Sequence, residues 1–130
     1  VRLLLDTHAW LWRLLDPKRI SPNAEAAVAD PENELLLSPI STWETLALAR
    51  KGRLSLTPSP SEWVLDALRR SAPTAVPLNH GIAVRSEALD GFSSEDPADR
   101  FLVATALELD LTLVTADRAM HEFGPVETLW

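Results

Sequence analysis

Arg2-Leu3-Leu4-Leu5-Asp6-Thr7 decides how the rest of the chain is read. A short apolar run that stops abruptly at one carboxylate has the pattern of a strand buried on both faces, the kind found in parallel sheets. The segment that follows, His8 to Leu15, repeats its apolar side chains at helical spacing. The two together form the first half of a βα unit. In open α/β sheets ligands bind outside the carboxyl ends of the strands. Asp6 is expected at that edge, and a strand-end carboxylate beside a buried run needs a partner.

Working outward, the same alternation recurs. Ser21-Pro22 is a cap followed by a first-turn proline and opens a helix to about Ala29. Leu35-Leu36-Leu37 is a second buried strand, closed by Ser38-Pro39. Ser41-Thr42-Trp43-Glu44 is read as a capping box opening a third helix, which ends in Arg50, Lys51 and Gly52. Leu54 and Leu56 suggest a turn or a short edge segment. Ser59-Pro60 opens a fourth helix, and Thr74 to Leu78 is a weak strand that Pro77 limits. Residues 79 to about 89 have a helical pattern. After the polar loop 90–95, Asp96-Pro97-Ala98-Asp99 starts a helix apolar nearly all round, hence a central one. Leu111 to Thr115 is the clearest late strand and leads into Asp117; a short helix and a strand near Val126 to Leu129 follow. The expected fold is three-layer α/β/α around a central, mainly parallel sheet, as one domain over residues 1–130.

Composition narrows the function. The chain has 130 residues, 46% apolar and 24% charged, as in ordinary globular proteins, and no cysteine, which removes thiolate chemistry and disulfides. No apolar run is long enough for a transmembrane helix and no secretion signal opens the chain, so a cytoplasmic protein is expected. The net charge of −7 disfavours a broad basic nucleic-acid surface, yet it is compatible with a nuclease whose acids surround bound cations.

Four acids converge by topology alone. Asp6 and Asp117 follow strands; Glu44 and Asp99 sit at the starts of helices, and those helices leave the same sheet edge. Taken singly, Glu44 and Asp99 read as helix-capping acids, and Asp117 reads equally as a cap for the helix after it. Together they would repel one another unless cations neutralise them, and an all-oxygen donor set suits Mg²⁺ or Mn²⁺.

The blocks Leu3-Leu4-Leu5-Asp6-Thr7-His8-Ala9-x-Leu11-Trp12, Ser38-x-x-Ser41-x-Trp43-Glu44, Asp96-Pro97-Ala98-Asp99-Arg100-x-Leu102-x-Ala104-x-Ala106 and Leu113-Val114-Thr115-Ala116-Asp117 resemble a PIN domain. More narrowly, they resemble the VapC toxins of bacterial type II toxin–antitoxin systems. The resemblance covers essentially the whole chain. It implies a metal-dependent endoribonuclease in which Asp6, Glu44, Asp99 and Asp117 form the acidic catalytic and metal-binding quartet. It places Thr115 beside the last acid; Thr7 and Asp96 are counted as supporting positions, and the resemblance leaves open whether Asp96 touches the metal. The expected products carry a 5′-phosphate and a 3′-hydroxyl. An antitoxin whose carboxy-terminal segment enters an apolar groove and a homodimer are expected on the same ground.

Other residues remain to be placed. His8, His80 and His121 are scattered, and only His8 adjoins a proposed ligand. Trp10, Trp12, Trp43 and Trp63 read first as core, with some left to line an exposed groove. Arg50, Lys51 and Arg53 read as helix-end charges or, more sharply, as RNA phosphate contacts. Arg100 and Arg118 could pair with neighbouring carboxylates or hold a phosphate. Two rivals stand beside the nuclease: a receiver-like phosphotransfer domain, disfavoured by the lack of adjacent acids after the first strand and by scarce lysine, and a catalytically inert PIN-like binding module.

Overall fold

The computed structural model describes all 130 residues. The opening run forms β1 (Arg2–Leu5), which pairs in parallel with β2 (Glu34–Leu37) on one side and β4 (Thr112–Val114) on the other. Leu4 stands opposite both Leu36 and Leu113. The short strands β3 (Thr74–Ala75) and β5 (Thr128–Leu129) close the two edges, giving a five-stranded sheet in the order β3-β2-β1-β4-β5, every pair parallel. The chain winds outward from β1 to β3, then returns to the other side of β1. The switch point therefore falls between β1 and β4, the position where an α/β sheet opens a crevice at its carboxyl edge.

Continuous apolar runs are needed because both faces of the sheet are covered. Leu4, Leu36 and Leu113 pack against Leu102, Val103 and Ala106 of α6 (Pro97–Leu109). Leu3, Leu5, Leu37 and Val114 pack on the opposite face with Ala9, Trp10 and Leu11 of α1 (Thr7–Leu15), Ala24 and Val28 of α2 (Pro22–Ala29), and Ala67. The remaining helices are α3 (Pro39–Arg50), α4 (Pro60–Ser71, which carries Ala67), α5 (His80–Ser86) and α7 (Arg118–Glu122). Helix α6 is the central helix its composition predicts: six of its residues, Ala98 and Leu102 to Ala106, are buried.

The structure corrects the start of α3. The helix begins at Pro39 with Ser38 as its cap, whose Oγ accepts from the Ile40 N–H at 3.1 Å. Ser-Pro is thus the opening of α2, α3 and α4 alike, and the proline after Ser38 starts a helix rather than merely ending a strand. Ser41 is consequently buried inside the first turn, where its hydroxyl accepts from Thr7 Oγ1 at 2.8 Å. Glu44 lies a turn deeper in the helix, so there is no Ser41–Glu44 capping box. Ser38→Ala is expected to cost about 1 kcal/mol of unfolding free energy, the usual effect of losing such a cap, read by urea denaturation.

Smaller differences have local causes. The 74–78 strand keeps only Thr74 and Ala75, since Pro77 lacks the N–H to extend a ladder. Leu56 is buried without joining the sheet. Trp10 is core and lies edge-on to Trp63, but Trp43 is 53% exposed on α3.

Candidate metal centre

The carboxyl ends of β1 and β4 and the starts of α1 and α6 surround a cleft of about 350 Å³ lined by Asp6, Glu44, Asp96, Asp99 and Asp117, with His8, Trp12 and Ala116. All four acids of the expected quartet face this one space.

Each is positioned differently. Asp6 occupies the cap position of α1, yet its side chain makes no capping bond. It is only 5% exposed, and Oδ2 accepts instead from Thr115 Oγ1 at 2.7 Å. The same Thr115 oxygen accepts from the Asp117 N–H at 3.0 Å, so one buried hydroxyl ties the ends of β1 and β4 together. Asp117 does cap α7: Oδ1 accepts from the Met120 N–H at 3.0 Å. Asp96 caps α6 likewise through the Ala98 N–H at 2.8 Å. Both capping acids also line the cleft, so capping and facing the cleft are compatible. Asp99 Oδ2 accepts from Ser94 Oγ at 2.9 Å. Glu44 stands apart: its Oε1 is buried with no hydrogen-bond partner.

The electrostatics follow from this crowding. Burial pushes the Asp6 carboxyl up to about 6; Glu44 and Asp117 add to the rise, against the Thr115 hydrogen bond and His8. Burial likewise raises Asp99 to about 7, with Asp96, Asp6 and Asp117 adding to it against the Ser94 bond. Glu44 and Asp117 thus favour the protonated form of Asp6, and Asp6 and Asp117 favour that of Asp99.

As they stand, no three of these side chains are arranged to hold one ion. The chemistry of the donors nevertheless fits a hard divalent cation: the acids are all oxygen donors, they penalise one another's charge, and a buried Glu44 oxygen lacks the partner such an atom requires.

Thr7 lies beneath the cleft, donating to Ser41 and so bracing α1 against α3. Arg100 does not line the cleft. Its Nε and Nη1 donate to the carbonyls of Ser86 (2.9 Å) and Ser94 (3.0 Å), which fixes the loop that presents Ser94 to Asp99. Arg118 is also outside it and pairs with Glu122 at 2.8 Å. Two contributors escaped sequence reasoning. Trp12 reads as core, although its i+4 spacing from His8 puts both rings on one face of α1, 5.7 Å apart. Ser94 sits in a polar loop whose only sequence signal is that it leads into the Asp96 cap.

A parallel β3-β2-β1-β4-β5 sheet with acids at its switch point defines an α/β fold with an acid-lined cleft, and its order differs from the 2-1-3-4-5 order of receiver-like folds. The chain belongs to the PIN-domain family, whose family model matches residues 3–124. It is 34% identical over 130 residues to Ribonuclease VapC22 of Mycobacterium tuberculosis (strain ATCC 25618 / H37Rv), covering 98% of each chain. Among solved structures it resembles DNA-bound VapBC from Salmonella typhimurium (TM-score 0.72, 17% identity, 98% of this chain and 96% of that one). It also resembles VapBC2 from Rickettsia felis bound to a promoter DNA fragment (TM-score 0.71, 14% identity, 98% and 97%). These structural likenesses establish the fold, which is the one the sequence blocks imply.

Proposed function

We propose that this chain is a metal-dependent endoribonuclease that hydrolyses RNA phosphodiester bonds in the cytoplasm, as the toxin of a type II toxin–antitoxin pair. The observation that carries the reading is the meeting of Asp6, Glu44, Asp99 and Asp117 in one cleft at the sheet's switch point, with a buried Glu44 oxygen left unpartnered. The full-length similarity to a VapC ribonuclease supplies the substrate class. The fold shared with VapBC complexes supports an antitoxin partner, and a homodimer is proposed by the same analogy.

In this reading the four acids hold Mg²⁺, or Mn²⁺ in its place. Such an ion supplies an acidified water and offsets charge on the leaving oxygen. The chain's own residues set the geometry. Thr115 fixes the orientation of Asp6 and the start of the Asp117 turn, Ser94 fixes Asp99, and Asp96 fixes the first turn of α6 on which Asp99 rides. The Thr7–Ser41 pair holds α1 to α3, and with it Asp6 to Glu44.

The test is cleavage of RNA with Mg²⁺ present and with EDTA, joined to a calorimetric Mn²⁺ titration and sequencing of the RNA ends. Expected are Mg²⁺-dependent cuts leaving 5′-phosphates and 3′-hydroxyls, loss of all cleavage in EDTA, and measurable heat of Mn²⁺ binding. Absence of both Mn²⁺ heat and cleavage would establish the inert binding module instead.

A further inference from the structure

The acidic cleft is repulsive to a polyanion, and on a chain of charge −7 the attraction for RNA has to come from somewhere local. The chain has 12 lysines and arginines. Arg2, Arg13, Arg69, Arg70, Arg85 and Arg118 each pair with a carboxylate, and Arg100 is bound to two carbonyls. The others, Lys18, Arg19, Arg50, Lys51 and Arg53, have no acidic partner. They fall in two short segments only: the 3-10 turn Pro17–Arg19 after α1, and the end of α3 with the turn that follows it.

These two segments face each other across a second groove, of about 540 Å³, to which Arg19 and Arg53 both contribute. His8, Trp12, Glu44 and Asp96 line this groove and the acidic cleft alike, so the two are continuous. Arg19 is held in place: its guanidinium lies 4.1 Å from the centroid of the Trp12 ring. The Trp12 edge is braced in turn by Trp130, ring centroids 5.8 Å apart. Asp16 is the one acid added along the new stretch, against two added arginines.

We propose that Arg19 and Arg53 form a phosphate-binding subsite that holds the single-stranded RNA backbone adjacent to the scissile bond, with Trp12 positioning Arg19. The inference rests on the ribonuclease reading for what lies next door, but the subsite itself is a matter of binding. Guanidinium groups suit this task, since their planar donors match phosphate oxygens and their charge does not titrate. Backbone contacts of this kind orient a strand without selecting bases, so a bound strand would run from the arginines past Trp12 into the carboxylates.

The experiment is fluorescence anisotropy with an end-labelled, mixed-sequence single-stranded RNA of about 20 nucleotides, titrated at several salt concentrations. The proteins are the parent, Arg19→Gln/Arg53→Gln, and Arg69→Gln/Arg70→Gln. The last makes the same change of charge at two exposed arginines of α4, both held by Asp66. Expected is an affinity loss of about tenfold for the Arg19/Arg53 variant, with a salt slope shallower by about 1.4, the value for two lost phosphate contacts on a single strand. The Arg69/Arg70 variant is expected to match the parent. Thermal melting serves as the folding control, since both target arginines are exposed. Equal behaviour of the two variants, or no RNA binding by the parent, overturns the subsite. So does a loss confined to the binding of a protein partner, which would make the groove a protein-docking surface. An RNA affinity that depends on Arg19 and Arg53 in a parent that cuts no RNA would instead overturn the nuclease reading and leave the subsite standing.

Discussion

Asp6→Asn is expected to abolish RNA cleavage while raising the melting temperature of the metal-free protein. Most polar substitutions in a core do the opposite, and the difference lies in what the carboxylate endures there. Asp6 is 5% exposed and its pKa is raised from 3.8 to about 6. A folded-state value above the unfolded one means that ionised Asp6 opposes folding. The penalty is absent below the unfolded pKa, grows as the pH rises between the two values, and is complete above about 6. At pH 8 the shift corresponds to at most about 3 kcal/mol. Asparagine keeps an oxygen to accept the Thr115 hydroxyl and removes the charge. A gain of about 1–3 kcal/mol at pH 8, fading as the pH is lowered toward 4, should be visible in chemical denaturation with EDTA present. Asp99→Asn should behave similarly, since Ser94 can still donate to the amide oxygen. Saturating Mg²⁺ should reverse the order, because only the parent gains binding energy from the ion. Parent-level cleavage by Asp6→Asn would end the catalytic assignment. A metal-free protein destabilised by the change would show that Asp6 is a structural acid.

That trade explains which parts of the molecule were legible in the sequence. The sheet was, because a strand buried on both faces has to be apolar throughout; Leu3-Leu4-Leu5 and Leu35-Leu36-Leu37 have no other simple reading. The end of β1 was legible for the opposite reason: Asp6 breaks the run where a core residue would be favoured. The helix starts at Ser21-Pro22 and Ser59-Pro60 were legible, whereas that of α3 was misplaced by assigning Ser38-Pro39 to the preceding strand. Edge strands were overestimated, since β3 and β5 are two residues each and depend on neighbours rather than on their own pattern.

The site was legible only as a convergence. Sheet topology brings Asp6, Asp99 and Asp117 to one edge, but no local feature of the sequence states that Asp117 caps α7 and faces the cleft at once. The orphaned Glu44 oxygen, the Ser94 contact and the opposing arginines of the second groove depend on distances between segments far apart in the chain. They require coordinates.

Metal binding is expected to expel protons, in a number set by pH. With Asp99 raised to about 7 and Asp6 to about 6, the metal-free site holds more protons at pH 6 than at pH 7 and few at pH 8. A divalent ion requires both carboxylates ionised, so it must displace whatever protons are present. Mn²⁺ affinity should therefore fall by about tenfold between pH 7 and pH 6 and more steeply below, where two protons compete with each ion. Calorimetric titrations in buffers of different ionisation enthalpy would count the protons directly. The same competition predicts the shape of the activity profile. Cleavage at limiting Mg²⁺ should rise with pH up to about 8, and the acidic limb should move to lower pH as Mg²⁺ is raised. A histidine acting as general base would give a limb that stays in place when the ion concentration changes, because its proton does not compete with the metal. His8 is the histidine that lines the cleft, and His8→Gln should leave the Mg²⁺-dependent shift intact. If no protons are released at pH 6, the ion does not bind where Asp6 and Asp99 meet.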